Sequence, residues 1–208
     1  MGILEAIESG WRKLRCSPRE RPIIVVGNQK SGTSAIAHLL ADFGGLSKTV
    51  DIRALWPPTG NAIMDGRESF HRVVSRNPCA FASELFKEPM MTFFLDQVIT
   101  RFPEARVVFV VRDPRDNIRS LFNRRDLPGD LAELPEEVFE EVHQGRIVVD
   151  SDVWGGQDTN YVGVAALRWN RAFRAYNRWS HRLALIRFED FLEDKYATIR
   201  QLANRLGV

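Results

Sequence analysis

Cysteine is scarce in this chain, long apolar runs are missing, and charge of neither sign prevails. Two cysteines in 208 residues, Cys16 and Cys79, exclude a disulfide-rich scaffold, and reduced thiols are the expectation. No stretch reaches the ~20 consecutive apolar residues that span a bilayer, and the N-terminus has no signal-peptide apolar core. Gly2 would suit myristoylation, but Ala6 stands where Ser or Thr is needed. A cytoplasmic protein without a membrane partner is therefore expected. The 29 basic and 27 acidic residues leave +2, so bulk charge gives no reason to expect a nucleic-acid partner. No cluster of His, Cys and carboxylates has metal-ligand spacing, so no metal is expected. Any anion site must come from local placement.

One such placement organises the chain. Ile23-Ile24-Val25-Val26 runs into Gly27-Asn28-Gln29-Lys30-Ser31-Gly32-Thr33-Ser34 and then into the helical Ala35-Ile36-Ala37-His38-Leu39-Leu40. A buried strand, a tight turn and a helix N-terminus gather backbone N–H groups, a helix dipole and a lysine around one point, which favours a phosphate-like dianion. The triphosphate-binding loop requires Lys directly after its second glycine. Here Thr33 follows Gly32 and Lys30 precedes it, so the lysine approaches from the loop while Thr33 and Ser34 offer hydroxyls.

The remaining pattern alternates helix and strand. Residues 2–15 read as an amphipathic helix ended by Ser17-Pro18, and the helix after the loop stops near Phe43-Gly44-Gly45. A short strand is expected at 50–52, irregular chain at Trp56–Gly60, helix at Ser69–Ser75, strand at Phe81–Phe86 ending at Lys87-Glu88-Pro89, and then helix to about Arg101. Arg106–Val111 is a continuous apolar run of the kind found in central parallel strands. Pro114 suits the first turn of the next helix, and a further helix is expected around Pro135–His143. Val164–His181 reads as a long helix with Trp169, Ala172, Phe173, Tyr176 and Trp179 on one face. Arg168, Arg171, Arg174, Arg178 and Arg182 lie opposite, as a solvated face or one that draws an acidic acceptor. Leu183–Arg187 is a third clear strand, and Asp194–Leu206 a closing helix. The expectation is one α/β domain over residues 1–208: a three-layer sandwich about a central parallel sheet, like that of P-loop nucleoside triphosphatases.

A second strand-to-helix junction carries Arg112 and Ser120. Ligands of doubly wound sheets lie across the carboxyl ends of strands, so the junctions at 27–34 and 111–120 can face one elongated ligand with an anion at each end. Arg112 could instead pair with Asp113 or Asp116 at the surface.

Gln29–Ser34 resembles the 5′-phosphosulfate loop of sulfotransferases that use 3′-phosphoadenosine 5′-phosphosulfate. Arg112-Asp113-Pro114-Arg115-Asp116-Asn117-Ile118-Arg119-Ser120 resembles their 3′-phosphate motif. Lys87-Glu88-Pro89 is similar to the Lys-Asp-Pro of the branch that includes tyrosylprotein and many bacterial enzymes, and Leu185–Leu192 to the family's late strand and acidic turn. The resemblance implies sulfuryl transfer to a hydroxyl or amine of a small molecule, carbohydrate or peptide. It implies that Lys30, Ser31, Gly32, Thr33 and Ser34 bind the phosphosulfate, and that Arg112, Ser120 and Arg124 bind the 3′-phosphate. Lys30 would neutralise the leaving oxygen, and Lys87 would meet the sulfuryl oxygens. Asp51 is the first candidate for the general base, with Glu88, Glu84 and His71 behind it.

The chain departs from the family pattern in three places. Pro89 stands where small-molecule enzymes carry a histidine, and Ala35 where an aromatic residue stacks on adenine. Relatives continue past the position of Val208 into a segment that covers the nucleotide. A P-loop phosphotransferase and a donor-binding protein without catalysis are the competing readings.

Overall fold

The two continuous apolar runs become the middle of one sheet. Ile23–Gly27 (β1) and Arg106–Val111 (β4) pair in parallel, with Ile24 opposite Val107 and Val26 opposite Phe109. Lys48–Val50 (β2) and Leu85–Lys87 (β3) extend the sheet on one side, and Leu183–Arg187 (β5) on the other, giving the all-parallel order β2-β3-β1-β4-β5. The computed structural model describes residues 16–135 and 148–208. The helix expected over 2–15 falls outside them, as does that expected around Pro135–His143 from residue 136 onward.

Burial on both faces explains why β1 and β4 lack polar alternation. Ile23, Val25, Val108 and Val110 pack beneath helices Thr33–Gly44 (α1) and Lys195–Leu206, through Ile36, Leu40, Ile199 and Leu202. Ile24, Val26, Val107 and Phe109 face the opposite layer, where Phe70, Phe81, Phe86 and Phe102 cluster edge to face and tilted. Each buried side chain of this size contributes about 1.5–3 kcal/mol. The second layer is built from Thr59–Met64 (α2), Phe70–Arg76 (α3), Leu95–Arg101 (α4) and the long Tyr161–Trp179 helix, with Tyr176 and Trp179 against the core. The expected three-layer α/β arrangement is what the chain adopts.

Several boundaries move for local reasons. Strand β2 stops at Val50, and Asp51 turns the chain with a left-handed φ of 60°. Pro57 and Pro58 keep the chain irregular only through Pro58, and α2 opens at Thr59. Phe81 lies in a 3₁₀ turn, Pro78–Phe81, so its apolar character serves the aromatic cluster and β3 is shorter than expected. The run after Lys87 begins as a 3₁₀ helix, Pro89–Phe94, which Glu88 caps by accepting from Met90 N–H at 3.0 Å. Helix Pro114–Arg124 (α5) starts on its proline, with Asp113 as N-cap. Short Ser151–Trp154 (α6) precedes the long helix (α7), which starts at Tyr161 because Asn160 accepts from Gly163 N–H. Phe188–Glu193 (α8) and Lys195–Leu206 (α9) complete the chain.

Two expectations fail. Cys16 and Cys79 are not reduced thiols but a disulfide pair, with Cα atoms 5.0 Å apart. Arg19 N–H donates to Phe81 O at 2.8 Å, which lays the segment before β1 along the 3₁₀ turn that carries Cys79. Arg168 does not share a solvated face with its neighbours on α7: it is 2% exposed, covered by the rings of Phe93 and Trp154.

Candidate active site

The carboxyl ends of all five strands converge on one edge, and the residues that follow them line a single cavity of about 630 Å³. Gln29, Lys30, Gly32, Thr33 and Ser34 come from β1, Asp51 from β2, Lys87 and Glu88 from β3, Arg112 from β4 and Phe188 from β5. Ser120 and Arg124 reach it from one face of α5, four residues apart. The two anion sites expected at the β1 and β4 junctions thus open on the same space.

The first loop is held by its backbone and by α5. Lys30 takes a left-handed φ of 66° and Gly32 one of 91°. A Cβ at Gly32 would lie 2.2 Å from the Phe188 ring, so only glycine permits this approach. Asn117, fully buried on α5, donates to Gln29 O at 2.8 Å and Ser31 Oγ at 3.0 Å, and accepts from Asn28 Nδ2 at 2.8 Å. Gly27 N–H donates to Thr92 Oγ1 at 2.9 Å, tying the loop to the turn after Lys87. Ser31 is 1% exposed and turned toward Asn117, whereas Lys30, Gly32, Thr33 and Ser34 face the cavity.

Arg112 belongs to the cavity. Its Nη1 donates to Lys30 O at 3.1 Å, and its guanidinium lies 4.9 Å from the Phe188 ring centroid. The neighbouring carboxylates are engaged elsewhere: Asp113 pairs with Arg115 and Asp116 with Arg119. The Arg115 side chain and backbone N–H hold the exposed Asp113 carboxyl down to about 2.

Opposite the loop stand two carboxylates of different character. Asp51, half-exposed, accepts from Lys87 Nζ at 2.5 Å, and its own N–H donates to Lys87 O at 3.0 Å. Glu88 is 2% exposed and accepts from Met90 N–H and, at 3.1 Å, from Trp56 Nε1. Burial pushes its pKa up, against the opposing pull of the Met90 hydrogen bond and the Lys87 charge. Glu84 accepts from Ser47 and Arg19, and exposed His71 sits on α3; neither lines the cavity. Among the described residues no group of three or more His, Cys, Asp or Glu is placed to hold a metal ion.

Sequence reasoning missed Phe188, Trp56, Arg125 and the clasp made by Asn117. The only available signal for Asn117 was its place one turn into α5, beside the Arg112 junction. For Arg168, helical periodicity gave only its place opposite the aromatic stripe, on a face read as solvated or drawing an acidic acceptor, and not its burial.

The α/β fold is similar to that of solved sulfotransferases. Sulfotransferase STF1 from Mycobacterium tuberculosis superposes with a TM-score of 0.61 at 13% identity, over 99% of this chain and 72% of that one. The sulfotransferase domain from the curacin biosynthetic pathway gives 0.56 at 15% identity, over 92% and 75%. Mouse sulfotransferase SULT7A1, complexed with PAP, gives 0.50 at 15%, over 95% of this chain and 63% of that one. No family model and no curated protein sequence matches the chain. No helix among the described residues is long and apolar enough to cross a membrane.

Proposed function

We propose that this chain moves a sulfuryl group from 3′-phosphoadenosine 5′-phosphosulfate to a hydroxyl or amine acceptor. One observation carries the reading: two strand-to-helix junctions, at the ends of adjacent strands β1 and β4, bring Lys30 and Arg112 to one cavity and are cross-tied by Arg112 and Asn117. That arrangement suits a ligand with a phosphosulfate at one end and a phosphate at the other. The sulfotransferase fold and the PAP-bound mouse neighbour support the same donor.

In this reading Lys30 and the N–H groups at the start of α1 hold the phosphosulfate, with the Thr33 and Ser34 hydroxyls beside them. Arg112, Ser120 and Arg124 take the 3′-phosphate. The acceptor oxygen attacks sulfur in line, the sulfur–oxygen bond to the 5′-phosphate breaks, and the acceptor proton passes to a carboxylate. Lys30 meets the charge that grows on the leaving phosphate oxygen, and Lys87 that on the sulfuryl oxygens. Asp51 is the base: its carboxylate is fixed by Lys87 and stays accessible from the cavity. No step requires a metal.

Calorimetry with 3′-phosphoadenosine 5′-phosphate and AMP tests the donor assignment. The bisphosphate should bind at least about tenfold more tightly, from charge-assisted hydrogen bonds of about 1.5–3 kcal/mol each. Arg112→Ala should remove most of that advantage and leave AMP affinity nearly unchanged. Equal losses for both nucleotides would sink the 3′-phosphate site.

A further inference from the structure

Among the described residues, Arg168 is a buried cation without a counter-ion. Its Nε and Nη1 have no hydrogen-bond partner among the described residues, and it makes no ion pair there. The rings of Phe93 and Trp154 lie 5.1 Å from its guanidinium, and Arg125 adds a second positive charge nearby. Burial, with the Arg125 charge behind it, brings its pKa down to about 9. Cation–π contacts offset part of the lost hydration, but a desolvated guanidinium keeps its unmet N–H donors. The side chain lines the cavity, as does that of Arg125.

We infer that Arg168 and Arg125 form a third oxyanion subsite in this cavity, which receives an anionic group of the acceptor. The geometry fits the chemistry. A guanidinium packed against two adjoining aromatic rings, Phe93 and Trp154, is held in place, and its planar fork matches a carboxylate or sulfate through two parallel N–H donations. The assignment to the acceptor rests on the proposed sulfuryl transfer, in which the first loop and the Arg112, Ser120 and Arg124 set already account for both donor anions. Phe93 belongs to the turn that continues from Lys87 and Glu88, so the subsite adjoins the wall that carries the proposed base. An acidic acceptor would be gripped by Arg168 while its hydroxyl or amine is presented to Asp51.

The test uses inorganic sulfate, titrated calorimetrically at constant ionic strength into protein saturated with 3′-phosphoadenosine 5′-phosphate. Wild type should bind sulfate, and Arg168→Met should weaken that binding at least about tenfold while bisphosphate affinity stays within about twofold. Methionine fills similar space and removes a buried charge, so melting should not fall; Arg125→Gln gives a second variant with the same expected direction. Absence of sulfate binding in wild type, or equal sulfate binding in Arg168→Met, overturns the subsite. An equal loss of bisphosphate affinity in Arg168→Met would place the anion on the donor and overturn the acceptor assignment. If wild type binds no bisphosphate, the sulfuryl-transfer reading fails. Sulfate titrated into nucleotide-free wild type and Arg168→Met then still decides whether the oxyanion subsite exists.

Discussion

Asn117 holds Ser31 from across the site: its side-chain N–H donates to Ser31 Oγ at 3.0 Å, although 86 residues separate the two. The same amide reaches Gln29 O and Asn28 Nδ2, so helix α5 fixes the loop that the other junction depends on. Asn117→Leu leaves these partners unmatched and buried, at about 1–3 kcal/mol. Its melting temperature should fall by several degrees, and affinity for 3′-phosphoadenosine 5′-phosphate by at least about tenfold. Unchanged nucleotide affinity in a folded variant would show that the loop needs no clasp.

Lys30→Ala should melt like wild type. The side chain faces the cavity, and the loop is held by its backbone, Gly32 and Asn117. Sulfuryl transfer should fall far more than donor binding, because the lysine acts most strongly on charge that appears during the reaction. Near-wild-type turnover, measured with any acceptor found to react, would rule it out as the leaving-group clamp.

Asp51 and Glu88 are separable by substitution and by pH. Asp51→Asn keeps size and removes basicity, so turnover should fall about 10²–10⁴-fold with donor affinity retained. Glu88→Gln should retain turnover; the reverse result would make Glu88 the base. The stability profile of Glu88→Gln has its own signature. Burial raises the folded pKa of Glu88 above its ordinary 4.5, so folding favours the protonated form. That contribution is complete below pH ~4.5 and disappears as pH rises through the folded value. Glu88→Gln should lose less stability than wild type over that interval, as urea unfolding at a series of pH values would record.

The Cys16–Cys79 pair closes 63 residues around β1, α1, β2 and two helices. Constraint of the unfolded chain over such a loop is worth about 4 kcal/mol. Reductant, or Cys79→Ser, should therefore lower the melting temperature by roughly 10 °C, and the untreated denatured protein should show no titratable thiol. Two free thiols in the oxidant-free, freshly isolated protein would refute the pairing.

The sequence by itself determined the parallel α/β architecture, because apolar runs without alternation at 23–26 and 106–111 can only be satisfied by burial on both faces. It also located both strand-to-helix junctions that line the cavity, since glycine at 27 and 32 and proline at 114 act through local backbone geometry. Strand ends at 50 and 85 were less legible, because the apolar residues around them serve an aromatic cluster made from distant segments. Only the tertiary structure decided which polar side chains share the cavity. Asn117 reaches the first loop, Lys87 meets Asp51, and Phe188 lies under Gly32, each across 36 or more residues of sequence. It likewise paired the cysteines and buried Arg168 beneath Trp154, against the periodicity of its own helix. Helical spacing states which residues share a face, whereas what covers that face depends on where another segment of the chain comes to rest.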